Sequence, residues 1–397
     1  MGVDRPILFT GFEPSGDDHA AAVVRELLAR HPDLKIYAWG GPKIEAAGAE
    51  IVERTGDDAV MGLPGLKKIA EHRKINRRIA EWMAQHRPAL HVPVDSPAAN
   101  FPVCKLAKER GARVVHLVAP QVWAWGKWRV NKLRKLTDHV LCLLPFEESW
   151  FRERNVMATF VGHPLFDHPV DTSALDTETR ELPSGDGPRV AIMPGSRPGE
   201  LSKNFATLVD VYRLLEAEHP GMTGVVAAAK EADVDELRRH ATAAGRAWPA
   251  SLAIVHGKTD AVIRWCDLSL VVSGTVTLQI ARQTKPMVIM YRPSRIVWSL
   301  IARWLISTTS FSLPNLIAGR RIVREFIPHF AGPEPIAGEA IELLESNAKV
   351  SEQRRDLAEV CAQYAGTNAA RASADVIERV LGLDAAEPAE SPVKATA

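Results

Sequence analysis

The 397-residue sequence has few cysteines, almost no net charge and no long apolar run. Its four cysteines are far apart and form no metal-type or redox pair, so we expect reduced, mostly buried thiols. The histidines, including His116, His163 and His256, show no ligand spacing, and we predict no metal and no cofactor. A net charge of +1 argues against a nucleic-acid-binding protein.

We also expect no targeting or membrane-spanning segment in this sequence. Residues 1–6 contain no apolar stretch of the kind found in signal peptides. No run approaches the roughly 20 apolar residues that a membrane-spanning helix needs. The most hydrophobic stretch, 296–306, is short and is broken by Arg303. The sequence predicts a cytoplasmic protein that is at most peripheral to a membrane.

What the sequence does contain is a regular alternation of short apolar runs with helical patterns. This alternation is typical of an α/β fold with a parallel sheet covered on both faces. We predict two Rossmann-like domains that face each other across a cleft. Ligands bind at the carboxyl ends of the strands in such sheets, so we expect the site in this cleft. The predicted strands are 7–10, 35–39, 90–94, 113–118 and 139–144 in the first half, and 189–193, 223–227, 253–255, 268–272 and 286–290 in the second.

Composition sets the predicted domain boundaries. Residues 1–170 form an N-terminal acceptor and membrane-side domain, and 171–188, rich in Asp, Thr, Ser, Gly and Pro, form a linker. Residues 189–345 form a C-terminal ligand-binding domain. Helices at 346–384, including one stretch over 351–381, pack back toward the N-terminal domain. The Ala/Glu/Pro/Ser tail 385–397 is predicted to be disordered.

Two small turns carry the strongest chemical signal. Pro194-Gly195-Ser196-Arg197 and Ser273-Gly274-Thr275 each follow an apolar, strand-like run. A turn of this kind before a helix directs backbone N–H groups outward, where they can hold an anion. Two such turns with an arginine suit a diphosphate, which predicts a nucleotide-sugar site in the second half. Gln279 lies one helical turn later and either reaches a ribose or is an exposed helix residue.

In the first half, Asp95 follows the apolar run 90–94 directly. It is either a helix N-cap or a carboxylate that accepts a proton from a sugar hydroxyl. The loop Ser15-Gly16-Asp17 is either a plain strand-to-helix turn or the acceptor side of the site.

Two surface patches combine apolar and basic residues. Leu63, Leu66 and Ile69 stand beside a run of cations and predict either a membrane-facing helix or a solvated charged face. The indoles of Trp123, Trp125 and Trp128 also lie among basic residues. They fit nucleic acid, a membrane interface or a packed corner, and we favour a packed corner with a partly lipid-facing edge.

Taken in order, these motifs resemble the lipid-A-disaccharide synthase family, inverting glycosyltransferases of family 19 with the two-Rossmann (GT-B) fold. The likeness runs from near the N-terminus to about residue 325, and no single segment is specific. The matching segments are Ser15-Gly16-Asp17, Gly41-Pro42, Val60-Met61-Gly62, Val94-Asp95-Ser96-Pro97, 120–125, Leu144-Pro145-Phe146-Glu147, Val161-Gly162-His163-Pro164, 194–197, Ser273-Gly274-Thr275 and Ser312-Leu313-Pro314-Asn315.

The resemblance implies condensation of UDP-2,3-diacylglucosamine with 2,3-diacylglucosamine 1-phosphate, which releases UDP and leaves a β-1,6 disaccharide for lipopolysaccharide. It implies Asp95 as the base for the acceptor 6-hydroxyl and Asn100 on the acceptor side. Acylated glucosamine lipids and the cytoplasmic leaflet of the inner membrane are the implied partners, and a homodimer is left open. The implied nucleotide-sugar ligands are Gly195, Ser196, Arg197, Ser273, Gly274, Thr275, Gln279, Tyr291 and Asn315.

Three positions depart from the family pattern. Ala98 replaces its second carboxylate, Gln279 replaces a Glu, and Phe12 stands where the first loop usually has Gly. These departures keep two alternatives open. One is a related GT-B transferase or UDP-sugar 2-epimerase acting on a different substrate. The other is a non-catalytic paralogue that binds nucleotide-sugar.

Overall fold

The computed structural model describes residues 5–55, 66–242, 246–295, 298–299 and 308–383. The chain divides into two compact units. The first unit consists of Met1–Asp167 with Gly366–Ala397, and the second unit consists of His168–Ala365.

The first unit is a parallel seven-stranded sheet in the order β3-β2-β1-β4-β5-β6-β7. Its central strands β1 and β4 are buried along their whole length, because helices cover both faces of the sheet. Its elements in chain order are β1 (Ile7–Gly11), α1 (Pro14–Arg30), β2 (Ile36–Gly40), α2 (Pro42–Ala46), β3 (Glu50–Arg54), α3 (Leu66–His86), β4 (Leu90–Val94), α4 (Pro97–Glu109), β5 (Arg113–Leu117), α5 (Val130–Leu136), β6 (His139–Cys142), α6 (Glu147–Arg152) and β7 (Ala158–Phe160).

The second unit repeats this plan with six parallel strands in the order β10-β9-β8-β11-β12-β13. The two parallel sheets with interleaved helices confirm the predicted Rossmann-like fold class. Its elements are α7 (Thr172–Glu178), β8 (Arg189–Met193), α8 (Pro198–Glu218), β9 (Thr223–Ala228), α9 (Asp233–Thr242), β10 (Leu252–His256), α10 (Thr259–Trp265), β11 (Leu268–Val272), α11 (Val276–Arg282), β12 (Met287–Met290), α12 (Leu313–Ala318), β13 (Glu325–Phe326), α13 (Glu334–Glu345) and α14 (Asn347–Ala362).

The last helix, α15 (Ala369–Leu381), returns to the first unit and packs on α1. The Arg30 guanidinium holds it there through Asp375 at 2.6 Å and Glu378 at 2.9 Å. The single helical stretch predicted over 351–381 is therefore wrong. It is two helices, because Gly366 is left-handed and the Asn368 side chain caps α15 by accepting from Arg371 N at 2.8 Å.

Periodicity missed the edge strands β3, β7 and β13. These strands are short, and β3 alternates between exposed and half-buried residues, so none forms a continuous apolar run. Inside the predicted linker 171–188 lies α7, capped by the Asp171 carboxylate and without a buried residue. Among the described helices, none is long and apolar enough to cross a bilayer. The predicted tail 385–397 lies outside the described residues.

Candidate functional site

Each sheet contains one place where the strand order reverses its direction. These switch points lie between β1 and β4 in the first unit and between β8 and β11 in the second. Loops at the carboxyl ends of the flanking strands diverge there and leave room for a ligand. The loops after β1, β4 and β6 carry Glu13, Asp95 and Glu147, and we call this the acidic edge. The turns 194–197 and 273–275, after β8 and β11, form the arginine edge.

Asp95 stands at the carboxyl end of β4, where the buried run Leu90–Val94 ends. Its backbone is left-handed, with φ of +46°, and Ser96 follows at +38°. Asp95 N donates to Leu117 O of the neighbouring strand at 2.9 Å. The N-cap position of α4 belongs to Ser96, one residue later, and the Ser96 hydroxyl donates to Glu13 Oε1 at 2.8 Å. The loops after β1 and β4 therefore adjoin at the switch point.

A buried hydrogen-bond network holds this unusual backbone. Asn100 Nδ2 donates to the carbonyls of Val94 at 3.1 Å and of Asp95 at 2.9 Å. Its Oδ1 accepts from the Thr10 hydroxyl at 2.6 Å, and Thr10 also meets His91 Nε2 at 2.9 Å. A left-handed non-glycine residue costs roughly 1–2 kcal/mol, and a network of this kind supports it. Asn100 thus acts on Asp95 through the backbone rather than through an exposed amide.

Glu147 is a residue of this edge to which the sequence analysis gave no role. It begins α6 with 2% of its surface exposed. The Trp123 indole donates to its Oε1 at 2.9 Å, and Leu144 N donates to its Oε2 at 3.0 Å. Burial raises the pKa of Glu147 to about 7 against the effect of these hydrogen bonds, and the charge of Asp95 raises it further. The available signal was the same as for Asp95, a carboxylate close behind an apolar strand.

The three residues Ser15-Gly16-Asp17, predicted as a loop, lie in the first turn of α1 and have different surroundings. Ser15 is exposed, whereas Gly16 is buried so closely that an added Cβ would lie 3.4 Å from Val94 Cγ1. The buried Asp17 carboxylate accepts from Gly41 N and Lys43 N at 2.9 Å each and from Ile44 N at 3.2 Å. These contacts make Asp17 the cap of α2, and Ser15 is the residue of the three that faces solvent.

At the arginine edge, the first turn is shaped around Glu200. Gly195 is left-handed at φ +94°, and a Cβ there would lie 2.8 Å from Glu200 Oε2. Arg197 occupies the N-cap position of α8, and its Nη1 donates to Glu200 Oε1 at 3.0 Å. Tyr291 follows β12 beside this pair. Its pKa is raised by burial and by the charge of Glu200, and Arg197 opposes that rise.

The second turn lies next to the first. The Cβ position of Gly195 is 3.7 Å from Val272 Cγ1, on the last residue of β11. Ser273 N donates to Met290 O at 3.1 Å, while Gly274 and Thr275 are exposed at the start of α11. A Cβ on Gly274 would meet nothing within 4 Å, so the space in front of this turn is open. Gln279 is half-buried one helical turn further on.

Asn315 is placed differently from the predicted nucleotide ligands. It is fully buried, and its Nδ2 donates to Val323 O at 2.8 Å and to the Glu325 carboxylate. Its Oδ1 accepts from Ile322 N at 2.8 Å and Val323 N at 2.9 Å. These four bonds use the amide completely, so Asn315 shapes the loop around Glu325.

The predicted membrane-facing residues receive no description of their side chains. Leu63 lies outside the described residues, and Leu66 and Ile69 fall in the first turn of α3, whose side chains are also outside. The tryptophan cluster is described: Trp123 is buried, and Trp125 and Trp128 are exposed. Within the described ranges, no group of three or more His, Cys, Asp or Glu side chains is placed to hold a metal ion.

Comparison with known proteins finds one family that matches nearly the whole chain. A family described as lipid-A-disaccharide synthetase matches residues 7–380. A lipid-A-disaccharide synthase from Myxococcus xanthus strain DK1622 is 35% identical over 375 residues, which cover 94% of this chain and 97% of that protein.

Two solved structures share the fold at 10% identity. The UDP-GlcNAc 2-epimerase from Neisseria meningitidis bound to UDP-GlcNAc superposes with a TM-score of 0.63, covering 95% of this chain and 100% of that one. A glycosyltransferase from Rickettsia africae ESF-5 gives 0.55, covering 96% and 99%. Since an epimerase and a transferase both match, this likeness speaks for the fold alone.

Proposed function

The chain belongs to the lipid-A-disaccharide synthase family, glycosyltransferases of lipid A biosynthesis, and from that premise we propose a role for each edge. At the acidic edge, Asp95 takes the proton of the 6-hydroxyl of 2,3-diacylglucosamine 1-phosphate. At the arginine edge, UDP-2,3-diacylglucosamine binds and UDP leaves. The observation that carries the proposal is the placement of Asp95 at the switch point on a held, left-handed backbone.

General-base catalysis requires a carboxylate that is ionised and fixed in direction. The backbone of Asp95 is fixed by Asn100 and by the bond from Asp95 N to Leu117 O. Glu147 is its electrostatic neighbour, since the charge of Asp95 is among the causes that raise the pKa of the buried Glu147 carboxyl. As the acceptor oxygen attacks the anomeric carbon, its proton passes to Asp95 and the bond to UDP breaks with inversion.

The departing diphosphate gains negative charge, which must be stabilised where it develops. We propose that the Arg197 guanidinium and the backbone N–H groups of Ser196 and of the 273–275 turn supply this stabilisation, without a metal ion. Gly274 leaves the open space that a phosphate needs, and Gln279 hydrogen-bonds a ribose hydroxyl. Tyr291 lines the same side, and Asn315 maintains the loop around Glu325.

The substrates set where the reaction takes place. Their acyl chains reside in a bilayer, so we propose that the protein works peripherally, at the cytoplasmic leaflet of the inner membrane. Ser15, exposed in the first turn of α1, contacts the acceptor, while Asp17 holds that turn against the start of α2.

The deciding experiment combines product identification with one pair of variants. Mass spectrometry of the product from the two acyl-sugars should show the disaccharide 1-phosphate, and UDP release should accompany it. Asp95→Asn should lower kcat by roughly 10²–10⁴, the range typical of a general base. Asp33→Asn changes an exposed carboxylate that precedes β2, at the amino-terminal ends of the strands and away from Asp95. This variant should leave the rate unchanged.

Two results would contradict the proposal. UDP binding without any disaccharide would favour a non-catalytic nucleotide-sugar-binding protein. Equal rates for wild type and Asp95→Asn would remove the base while leaving the transferase activity intact.

A further inference from the structure

The loop at 120–129, which we call the tryptophan loop, presents two indoles to solvent. Trp125 is 46% exposed and Trp128 is 61% exposed. Both are among the few large apolar side chains that the described part of the chain exposes to this degree. Exposed indoles in a pair, unlike single surface apolar residues, call for an explanation.

The base of the tryptophan loop is rigidly built. Val122 and Trp123 are buried, and the Trp123 indole N–H is fixed on Glu147 at 2.9 Å. The Arg129 guanidinium lies 3.6 Å from the centroid of Trp125 and donates to Trp125 O at 2.8 Å. Gly126, left-handed at φ +67°, makes the turn between the two exposed indoles. The tip is therefore held outward by its own contacts.

The surroundings of the tip are cationic throughout. Residues 120–137 contain five Lys and Arg side chains and no Asp or Glu. Trp128, Lys132 and Lys135 follow one another at helical spacing and share a face that continues from the loop into α5. Lys127, Lys132 and Lys135 are exposed, and among the described residues none of them forms an ion pair.

We propose that the tryptophan loop docks on the surface of an anionic phospholipid bilayer, with the indoles of Trp125 and Trp128 at headgroup depth. Indoles favour this layer because one side of the ring is apolar and the N–H stays hydrated. Each nearby cation adds attraction to anionic headgroups. The inference rests on the proposed function, since it brings the acidic edge to the surface that holds the acyl-sugars.

The position of the loop supports this occupant. The tryptophan loop follows β5, so it leaves the sheet at the same edge as Asp95, and Trp123 ties it to Glu147 beside that base. A bilayer that contacts the loop therefore faces the acidic edge. With a net charge of only +1, the protein as a whole gives a nucleic acid little long-range attraction, so the bilayer is the occupant that we argue.

The test measures binding to vesicles of phosphatidylethanolamine and phosphatidylglycerol. The double variant Trp125→Ala/Trp128→Ala should bind at least about tenfold more weakly than wild type. Wild type should bind vesicles of phosphatidylcholine alone poorly, and added salt should weaken its binding to the anionic ones. Brominated lipids should quench the fluorescence of the wild type and much less that of the variant.

Met157→Ala is the matched control. Met157 is 62% exposed but precedes β7, so it lies at the amino-terminal ends of the strands, away from the tryptophan loop. It should bind vesicles as the wild type does. A second double variant, Lys132→Glu/Lys135→Glu, removes charge without touching the indoles and should also weaken binding at low salt. Unchanged vesicle affinity in both double variants would overturn the proposal, as would an equal loss in Met157→Ala. So would a changed oligomeric state of the tryptophan variant without any change in vesicle binding.

The readouts separate this inference from the proposed function. Asp95→Asn should lose turnover and still bind vesicles. The tryptophan double variant should keep wild-type turnover of short-chain, water-soluble acyl-sugars in the absence of vesicles. Loss of that soluble activity would place the indoles in the site itself and overturn docking as their role.

Discussion

In the first unit the loops after β1, β4 and β6 present carboxylates, whereas in the second unit the turns after β8 and β11 present an arginine and small residues. Both sets stand at the carboxyl ends of parallel strands, and β1 and β4 in the first unit and β8 and β11 in the second flank the switch points. The strand order is thus the same in kind, and the loops differ in charge. The acidic edge is suited to accepting a proton, and the arginine edge to holding an anion.

The two edges also differ in how their backbones are built. The second unit uses glycine at its left-handed turn, Gly195. The first unit places Asp95, Ser96 and Val118 in the same conformation, and there the cost is met by hydrogen bonds such as those of Asn100. Where a side chain must do chemistry at the turn itself, glycine is not available. A strained functional residue then needs a supporting network.

The largest effect is expected when the cation of the arginine edge is removed. Arg197→Gln should lower kcat/KM for the nucleotide-sugar by roughly 10²–10³, the effect of losing one well-placed donor to a developing charge. Arg197→Lys should fall between, because lysine keeps the charge and loses the planar fork. Steady-state kinetics and calorimetry with UDP measure both.

Arg213→Gln serves as the control, because Arg213 lies on the same helix α8 but pairs with Asp210, far along from the turn. Melting temperatures should accompany the kinetics, since Glu200 loses a partner in the Arg197 variants. UDP affinity equal to wild type in Arg197→Gln would mean that the arginine edge does not hold the diphosphate.

Much of this arrangement could be predicted from sequence, for a physical reason. A strand buried on both faces gives a continuous apolar run, so β4, β8 and β11 and the turns behind them were visible, with Asp95 and Arg197 among them. Asn315 was assigned to the nucleotide, yet its amide is used inside the protein. Sequence position shows which loop carries a polar side chain. Only the folded structure shows which partners that side chain hydrogen-bonds.

At the acidic edge, the raised pKa of Glu147 can be tested through the pH dependence of stability. Its pKa is about 7 in the folded chain against a usual value of 4.5, so between these pH values the folded form holds a proton that the unfolded form lacks. The contribution of this proton to the free energy of unfolding is fully present below pH 4.5. It is lost as the pH rises toward 7, by up to about 3 kcal/mol. Glu147→Gln should remove this part of the pH dependence.

Urea unfolding at pH 5 and pH 8 measures the slope for wild type and variant. The comparison of slopes matters more than absolute stability, because the glutamine amide meets Leu144 N poorly. Glu45→Gln changes an exposed carboxylate of the same unit and should leave the slope as in wild type. Identical slopes in wild type and Glu147→Gln would mean that Glu147 titrates normally and leaves Asp95 without a protonated neighbour.

The smallest effects come from the two glycines of the arginine edge, which separate shape from binding. Gly195→Ala should cost about 1–3 kcal/mol of unfolding free energy, because φ is +94° and the new methyl would meet Glu200 Oε2. Gly274→Ala should change stability by less than about 0.5 kcal/mol, since its Cβ would meet nothing within 4 Å. If phosphate approaches that turn closely, the same methyl should weaken UDP binding several-fold by calorimetry. A Gly274→Ala protein that binds UDP as wild type does would show that the open space before Gly274 is not where the diphosphate lies.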